Sequence, residues 1–273
     1  TVLRKSMGNK FLLNNCMTLI SLNIWGGKIY KPLIGFIEKH SETTDIFCFQ
    51  EVLQSNSSVS ESSGYKMDIF DDLAIVLKDF QGYFAKSLSG YDMVKLVNFE
   101  VYLGNAIFVK KSITVTSYEK IFIHHVEGGI IKRKDYFETS RSLQSIQVKL
   151  GSKIFNVYNL HGIWIPDSFG KIDNKERIRQ SKKIEQFIQK HNEEKIVVGD
   201  FNLDPDTKSL KILENHLINL IKKYAIPTTR TSLYTGKHKF ADYTLVSPGI
   251  KVINFQVPNI SISDHCPMIL EFA

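Results

Sequence analysis

Short apolar runs, rich in β-branched and aromatic residues, recur along the whole of this 273-residue chain. Runs of this length bounded by turn residues predict β-strands. They occur at Leu19–Ile24, Ile46–Phe49, Leu73–Leu77, Ala106–Val109, Ser145–Leu150, Phe155–Leu160, Ile196–Val198, Tyr243–Val246, Val252–Val257 and Met268–Phe272. A chain with so many strands must bury the faces of large sheets.

Helical patterns separate only some of these strands. Apolar spacing predicts helices at Tyr30–Lys39, at Asn174–Lys190 after Asp173 as N-cap, and at Ser209–Leu220. This mixture predicts an α/β (α+β) four-layer sandwich, in which two mixed β-sheets pack face to face and helices cover the outer faces.

The sequence has no internal repeat, low-complexity linker or compositional break. The polar residues discussed below extend from Asn23 to His265, so division into two domains would split the candidate site. We therefore expect one domain over residues 17–273, preceded by an N-terminal extension or expression remnant at residues 1–16. The serine-rich stretch Ser55–Ser63 is expected to be a loop.

The net charge of +7 and the pI near 9.1 favour an anionic partner. Nucleic acid, inositol phosphate and an anionic lipid surface fit this balance equally well, and so does a solvated basic face without a partner. The three cysteines, Cys16, Cys48 and Cys266, have neither metal-site nor disulfide-framework spacing. We expect an intracellular, cytoplasmic monomer without a transmembrane segment.

Several strands end in polar residues that apolar packing does not explain. Asn23 follows Leu19–Leu22, and Glu51 follows Ile46–Gln50. Function concentrates where strands leave the core, although each residue alone would mean little.

The sharpest cluster is Gly199-Asp200-Phe201-Asn202, after a buried strand. In an extended chain Asp200 and Asn202 would project the same way. The alternative is a turn in which the two side chains cap their own backbone.

Three further strand ends carry Asp242, the pair Asp264-His265, and His161. Asn159 lies two residues before His161, so both side chains should face the same side of their strand. A hydrogen-bonded histidine without a chemical role is the alternative at His161.

In this order, the motifs resemble the endonuclease/exonuclease/phosphatase (exonuclease III / DNase I-like) superfamily over about Met17 to Ala273. The superfamily includes exonuclease III, DNase I, tyrosyl-DNA phosphodiesterase 2, deadenylases, neutral sphingomyelinases and inositol polyphosphate 5-phosphatases. The specific segments are Gly-Asp-Phe-Asn and Ser-Asp-His, supported by Leu-Asn-Ile-Trp, Phe-Gln-Glu-Val and Gly104-Asn105-Ala106-Ile107.

The resemblance implies a metal-dependent phosphoesterase. Glu51 would be the principal ligand of Mg²⁺ or Mn²⁺, with Asn23 and Asp264 completing its shell, because hard cations take oxygen ligands. Asp200 would orient or activate the attacking water or protonate the leaving group, and Asn202 would donate to a phosphate oxygen.

The same resemblance assigns Asp242 and His265 as a pair whose imidazole stabilises the pentavalent phosphate. It also makes His161 a second phosphate contact and places Asn105 near the substrate.

The residues that could recognise a particular substrate form less specific patterns than the motifs above. The segment His124 to Arg141 carries Lys132-Arg133-Lys134 followed by Tyr136 and Phe137, a mixture that suits a nucleic-acid strand but is also common in solvated loops. Arg141 is the best candidate to reach a phosphate, and Trp164 could stack on a base or sit against lipid. Lys110-Lys111 and Lys237-His238-Lys239 add positive charge.

A nuclease or related phosphodiesterase acting on DNA or RNA is the leading hypothesis, including action at a 5′-end. A sphingomyelinase-like or inositol-phosphate phosphoesterase is the alternative. Phe240-Ala241-Asp242-Tyr243 counts against the inositol branch, which resembles Trp-Cys-Asp-Arg at this place. A noncatalytic phosphate- or nucleic-acid-binding module is the alternative from a different class.

Overall fold

The computed structural model describes residues 16–126, 129–133, 136–166 and 170–273. In chain order the strands are β1 (Met17–Asn23), β2 (Ile46–Gln54), β3 (Glu61–Ser62), β4 (Tyr65–Lys66), β5 (Phe80–Ser89), β6 (Tyr102–Lys110), β7 (Thr114–His124), β8 (Ile130–Arg133), β9 (Tyr136–Thr139), β10 (Arg141–Leu150), β11 (Lys153–His161), β12 (Glu194–Asp200), β13 (Ile218–Asn219), β14 (Asp242–Val246), β15 (Val252–Gln256) and β16 (Met268–Phe272). The helices are α1 (Tyr30–Ser41), α2 (Ile69–Val76), α3 (Lys175–Ile188), α4 (Lys208–Glu214) and α5 (Leu220–Lys223).

Twelve strands form two six-stranded sheets. The first sheet has the order β15-β16-β1-β2-β6-β5, and the second has the order β13-β14-β12-β11-β10-β7. Each is mixed, because β1 runs parallel to β2 and β11 runs parallel to β12, whereas the other neighbours are antiparallel. Two-stranded ladders join β3 to β4 and β8 to β9.

Alternation along the strands separates the layers. In β1, Leu19 packs in the cluster shared with the second sheet, whereas Ile20 packs in the cluster under α1 and α2. Successive strand residues point to opposite faces, so one strand serves both layers. The helices α3, α4 and α5 contribute Ile184, Leu210 and Leu220 to the first of these clusters. The predicted four-layer sandwich is confirmed.

Polar side chains join the two sheets beneath one end of the sandwich. The Asn159 amide of β11 donates to the carbonyls of Phe49 and Ala106 at 3.0 and 3.1 Å, and its oxygen accepts from Gln50 at 2.6 Å. Buried polar groups cost free energy unless they are hydrogen-bonded. These bonds therefore fix how the sheets face one another next to the candidate site.

The predicted strand Leu73–Leu77 is wrong, because residues 69–76 form α2. Ile69 and Leu73 are buried one helical turn apart, whereas Ile75 is 75% exposed. That pattern has the helical period, but a run of five apolar residues hides it. The other nine predicted strands overlap observed ones.

Two helix predictions need correction. Asn174, not Asp173, caps α3 by accepting from the Arg177 amide, and Asp173 instead accepts from the Lys208 and Ser209 amides at the start of α4. The predicted helix Ser209–Leu220 is interrupted, because α4 ends at Glu214 and β13 intervenes before α5.

The strand predictions omitted β5, β7 and β13 of the two large sheets and the short strands β3, β4, β8 and β9; β3 lies within the stretch Ser55–Ser63, which was expected to be a loop. Strand β7 forms an edge of the second sheet, and most of its residues are exposed or half-buried, so its only apolar run is short, Ile121 to Ile123 at its end. None of the helices described in the structure is long and apolar enough to cross a membrane. Cys48 is buried between the sheets, as expected of a small apolar side chain.

Candidate active site

Strand register places three predicted site residues side by side. His161, Asp200 and Asp242 are direct partners across β11, β12 and β14. Neighbouring strands are about 4.8 Å apart, so polar side chains in one such row meet without any loop rearrangement. The row lies where two parallel strands end and their antiparallel neighbour begins.

The first sheet supplies the facing residues. Asn23, the last residue of β1, donates its amide to Asp200 Oδ2 at 3.1 Å across the gap between the sheets. Asp264 and His265 precede β16, and the Ser263 hydroxyl holds this segment by donating to the Asn23 carbonyl at 2.7 Å. Both sheets therefore contribute to one cluster.

Glu51 does not follow the end of its strand, as the sequence suggested, since β2 continues to Gln54. The pairing of β2 with β6 shifts register between Phe49 and Val52, and Glu51 has a φ of 55°. An extra residue in a bulge turns its side chain away from the regular alternation. Glu51 Oε1 thereby lies 3.8 Å from His161 Nε2.

The segment after β12 is a tight turn, not the extended chain expected from the sequence. Asp200 Oδ1 accepts from the backbone N–H of Asn202 at 2.9 Å, and Asn202 has a φ of 53°. The alternative of side chains capping their own backbone is thus correct for Asp200. Only glycine fits at position 199, just before Asp200, because a Cβ there would lie 2.0 Å from the Leu160 carbonyl oxygen and the φ of Gly199 is 135°.

The Asp242–His265 pair has direct contact at both carboxylate oxygens. His265 Nδ1 lies 2.8 Å from each oxygen of Asp242. Burial and the neighbouring Arg230 lower the pKa of His265, but Asp242 and other nearby carboxylates outweigh them and leave that pKa above its usual value. His265 is therefore biased towards the protonated form.

His161 behaves differently. Burial, and then the charge of Arg141, holds the pKa of His161 well below its usual range. Arg141 Nη1 lies 3.2 Å from His161 Nδ1. The pair thus presents a neutral imidazole beside a permanent cation.

Asp200 Oδ2 lies between the two imidazoles, 3.7 Å from His161 Nε2 and 3.5 Å from His265 Nε2. Burial alone would raise the pKa of Asp200, but neighbouring positive charge, chiefly that of His265, outweighs it and holds the pKa well below its usual range. Asp200 is therefore ionised at neutral pH.

The oxygen-rich side of the cluster has the chemistry of a divalent-cation site. Burial, and then repulsion from Asp264, raises the pKa of Glu51 to about 7, and Asp200 adds to this repulsion. A divalent cation would relieve such crowding of carboxylates, and oxygen is its preferred ligand. Glu51 and Asp264 therefore offer carboxylate oxygens suited to Mg²⁺ or Mn²⁺. Asn23 is oriented differently: its side-chain oxygen accepts from the Trp25 backbone amide at 3.0 Å and its amino group donates to Asp200, so its role as a ligand stays a prediction. Ligand atoms of Asp200, Asp242 and His265 also lie within 4.8 Å of one another. Asp242 is already in contact with His265 Nδ1, so this second group is less suited to hold a metal ion.

These residues surround a cavity of about 430 Å³. Glu51, Asp200, Asn202, Asp264, His161 and His265 form its polar wall. Trp25, Tyr65, Tyr91, Trp164 and Tyr234 contribute aromatic rings. Trp164 is 45% exposed, so it marks the mouth, whereas Asp200 at 1% marks the base.

Backbone conformation also sets this wall apart. Seven non-glycine residues in the described part of the chain have positive φ, and four of them, Trp25, Glu51, Met93 and Asn202, line the cavity. Such conformations cost free energy and persist where surrounding contacts impose them.

Other predicted contacts fall in different places. Arg141 lines the cavity, whereas Asn105 is buried behind it and donates to the Ser142 carbonyl at 3.1 Å, bridging the sheets. A contact of Asn105 with substrate stays a prediction. Lys110 binds the Glu42 carbonyl at the opposite end of β2.

For the basic run after His124, Lys134 lies outside the described residues, as do the side chains of Lys132, Arg133, Tyr136 and Phe137. In the other basic run, His238 pairs with Asp204 at 3.2 Å.

Sequence reasoning missed two buried cations. Arg230 lines the cavity and donates to Asp264 Oδ2 at 2.9 Å. Lys171 donates to Asn202 Oδ1 at 3.3 Å, which turns the amide nitrogen of Asn202 away from it. Neither cation belongs to a recognisable motif; both reach the site through contacts between distant segments.

Residues 20–265 match the model of the Endonuclease/Exonuclease/phosphatase family. Curated protein sequences give no significant match.

Solved structures share the fold. A mannosyl-6-phosphatase from Bacteroides thetaiotaomicron is 18% identical with a TM-score of 0.69, covering 94% of this chain and 99% of that chain. The human Nocturnin catalytic domain with bound sulfate is 17% identical with a TM-score of 0.64, covering 95% and 93%. A humanized D. rerio TDP2 is 14% identical with a TM-score of 0.60, covering 94% and 99%. The family match over residues 20–265 and the shared fold agree with the motifs, and the chain belongs to the Endonuclease/Exonuclease/phosphatase family.

Proposed function

We propose that this chain is a divalent-metal-dependent phosphoesterase that uses water to hydrolyse a phosphodiester at the end of a nucleic-acid strand. Family membership supports phosphoester hydrolysis. The observation that carries the proposal is convergence: Glu51, Asp200, Asn202, Asp264 and His265 line one cavity, with Asn23 and Asp242 directly bonded behind them. We further propose that residues 17–273 act as one catalytic domain.

Glu51 would be the principal metal ligand, supported by Asn23 and Asp264. The ion, Mg²⁺ or Mn²⁺, would neutralise charge on the phosphate and polarise it for attack. Among the protein groups, ionised Asp200 can accept a hydrogen bond from the attacking water and orient it. The Asp200 carboxylate is held in place because it accepts hydrogen bonds from the backbone N–H of Asn202 and from the side chain of Asn23.

Three groups are suited to hold the phosphate. Asn202 Nδ2 is buried without a hydrogen-bond partner among the described residues, so it is available to a phosphate oxygen. The Asp242–His265 pair, with Arg230 against His265 Nε2, places positive charge near the negative charge that develops during attack. On the opposite side, Arg141 brings a cation next to neutral His161.

The aromatic rings support a nucleic-acid substrate. Trp164 at the mouth and half-buried Tyr91 within the cavity can stack on bases, and stacking tolerates any sequence. Asp200 is 1% exposed at the base of the cavity and Trp164 is 45% exposed at its mouth, a depth that suits a strand end better than an uninterrupted duplex. The basic composition adds sequence-independent attraction to phosphates.

A phosphomonoesterase acting on a small phosphorylated molecule is the second candidate. The observation that favours it is the similarity to a structure described as a mannosyl-6-phosphatase. Sphingomyelinase-like or inositol-phosphate chemistry uses the same polar wall with a different leaving group.

The test measures Mg²⁺- and Mn²⁺-dependent hydrolysis of single- and double-stranded oligonucleotides, 5′-tyrosyl DNA, sugar phosphates, inositol phosphates and sphingomyelin. Wild type is compared with Glu51→Ala and with Glu185→Gln, a carboxylate on α3 that pairs with His216 away from the cavity. Oligonucleotide cleavage lost only in Glu51→Ala supports the proposal. Turnover of sugar phosphate alone supports the second candidate, and no turnover with either metal supports a binding module.

A further inference from the structure

Arg230 is a buried cation inside the candidate active site. It is 8% exposed and lines the cavity beside Asp264 and His265. Burying a charge is costly unless partners compensate for it. Its partners therefore indicate what the guanidinium does.

The position of Arg230 is set by a short pairing of two distant segments. Arg230 and His265 form an isolated antiparallel bridge. The Cys266 amide donates to the Thr229 carbonyl at 2.9 Å, and the Thr231 amide donates to the Asp264 carbonyl at 3.1 Å. Because both flanks are paired, Arg230 cannot leave the neighbourhood of His265 without breaking backbone hydrogen bonds.

The guanidinium is held from two sides. Its Nη1 donates to Asp264 Oδ2 at 2.9 Å and contacts His265 Nε2. The ring of Tyr234 lies against its other side, with 4.2 Å between the guanidinium carbon and the ring centroid. A stacked arginine keeps a fixed plane and directs its remaining donors in fixed directions.

One of those donors has no acceptor. Arg230 Nε is buried and meets no hydrogen-bond partner among the residues that the structure describes. Asn202 Nδ2, on the same cavity wall, is in the same condition. Buried donors without partners are unfavourable, and two of them on one wall point to a missing anion with several acceptor oxygens.

We propose that Arg230 is a further catalytic residue, which donates to a non-bridging oxygen of the phosphate under attack. The inference rests on the proposed function of the site. During hydrolysis, a bond forms from the water oxygen to phosphorus while the bond to the leaving oxygen breaks. The water loses one proton and the leaving oxygen gains one. Negative charge gathers on the non-bridging oxygens, and a guanidinium fork matches them in charge and geometry.

The competing explanation is that Arg230 only balances the charge of Asp264. Loss of the guanidinium would then disturb the metal site or the fold and leave phosphate binding unchanged at saturating metal. The two roles therefore differ in one measurable quantity, the affinity for phosphate at saturating Mg²⁺.

The experiment uses the full chain with inorganic phosphate as the probe, by titration calorimetry and as an inhibitor of turnover. Arg230→Gln removes the charge, Arg230→Lys keeps it without the planar fork, and Arg230→Ala leaves space for added guanidinium. Arg179→Gln is the matched control, because Arg179 pairs with Glu176 on exposed α3. Melting temperature and the Mg²⁺ dependence of turnover are recorded for each variant.

We expect Arg230→Gln to weaken phosphate binding roughly 10- to 100-fold, the effect of one lost hydrogen bond to a charged group. The turnover rate should fall about 10²- to 10³-fold. Arg230→Lys should recover part of the affinity, guanidinium should restore turnover to Arg230→Ala, and Arg179→Gln should match wild type.

Unchanged phosphate affinity in folded Arg230→Gln, with only a higher Mg²⁺ requirement, would overturn the inference. If Arg230→Gln does not fold, absence of guanidinium rescue in folded Arg230→Ala would overturn it equally. Wild type that binds no phosphate would also overturn it. Wild type that binds phosphate tightly through Arg230 but hydrolyses nothing would instead refute the proposed function.

Discussion

Glu51 should destabilise the metal-free protein. Its carboxylate is only 18% exposed and lies near Asp264 and Asp200, so its pKa rises from 4.5 to about 7. The difference of roughly 2.5 pKa units corresponds to about 3 kcal/mol, since each unit contributes about 1.4 kcal/mol. Because the folded-state pKa is raised, the associated stability is present below pH 4.5 and is lost as the pH rises through 7.

Replacement of Glu51 by Gln removes this charge while keeping size and hydrogen-bonding capacity. In EDTA at pH 8, we expect Glu51→Gln to raise the free energy of unfolding by about 2 to 3 kcal/mol, and the melting temperature by roughly 5 to 10 °C for a chain of this size. At pH 4.5 the gain should largely disappear. Saturating Mg²⁺ should reverse the order of stability if Glu51 is a metal ligand as proposed, because an ion that binds only the native wild type stabilises it.

The assay is thermal and urea unfolding of wild type, Glu51→Gln and Glu185→Gln, at pH 4.5 and 8, with EDTA or Mg²⁺. Glu185→Gln reports the effect of removing a carboxylate elsewhere. A variant no more stable than wild type at pH 8 in EDTA would refute the reasoning about carboxylate repulsion, as would a gain of equal size at both pH values.

Three further perturbations test the site and its support. Asn202→Ala should reduce turnover about 10²- to 10³-fold when assayed at a temperature at which the variant is still folded; near-native turnover in the folded variant would contradict a direct phosphate contact. Gly199→Ala should destabilise by more than about 3 kcal/mol in urea unfolding, since its Cβ would meet the Leu160 carbonyl at 2.0 Å; near-native stability would contradict the strand register. Asp92 accepts from the hydroxyls of Ser62 and Ser63; burial alone would raise its pKa, but these and backbone hydrogen bonds lower it to about 2. Its contribution is therefore present above pH 4 and lost towards pH 2. Asp92→Asn should cost about 1 to 3 kcal/mol at pH 7 and about half as much at pH 3 in urea unfolding, whereas a cost independent of pH would refute this assignment.

Local pattern predicted the sandwich and most of its strands because alternation and composition act over a few residues. The local pattern did not predict elements whose apolar residues were few or whose apolar period was masked by neighbouring apolar residues. Helix α2 carries an apolar stripe, Ile69 and Leu73, that a run of consecutive apolar residues concealed. Edge strand β7 faces solvent along much of its length and has apolar residues in sequence only at its end, Ile121 to Ile123.

The family motifs singled out Asp200, Asn202, Asp264 and His265, which line one cavity, and Asp242, which lies behind them in contact with His265. The same sequence motifs did not predict which backbone conformations direct these side chains into the cavity. Asp200 caps its own turn through the Asn202 amide, and Glu51 emerges from a bulge within β2. Both depend on pairing with other strands, which no local pattern records.

The sequence by itself determined the layered fold and the set of carboxylates, amides and imidazoles at strand ends. Only the tertiary structure decided which buried cations join them. Arg230 lies 34 and 35 residues before its partners Asp264 and His265 and meets them through pairing of two irregular segments. Such contacts arise from the register of the whole sandwich, and a single sequence carries no local signal for them because register is a relation between distant segments.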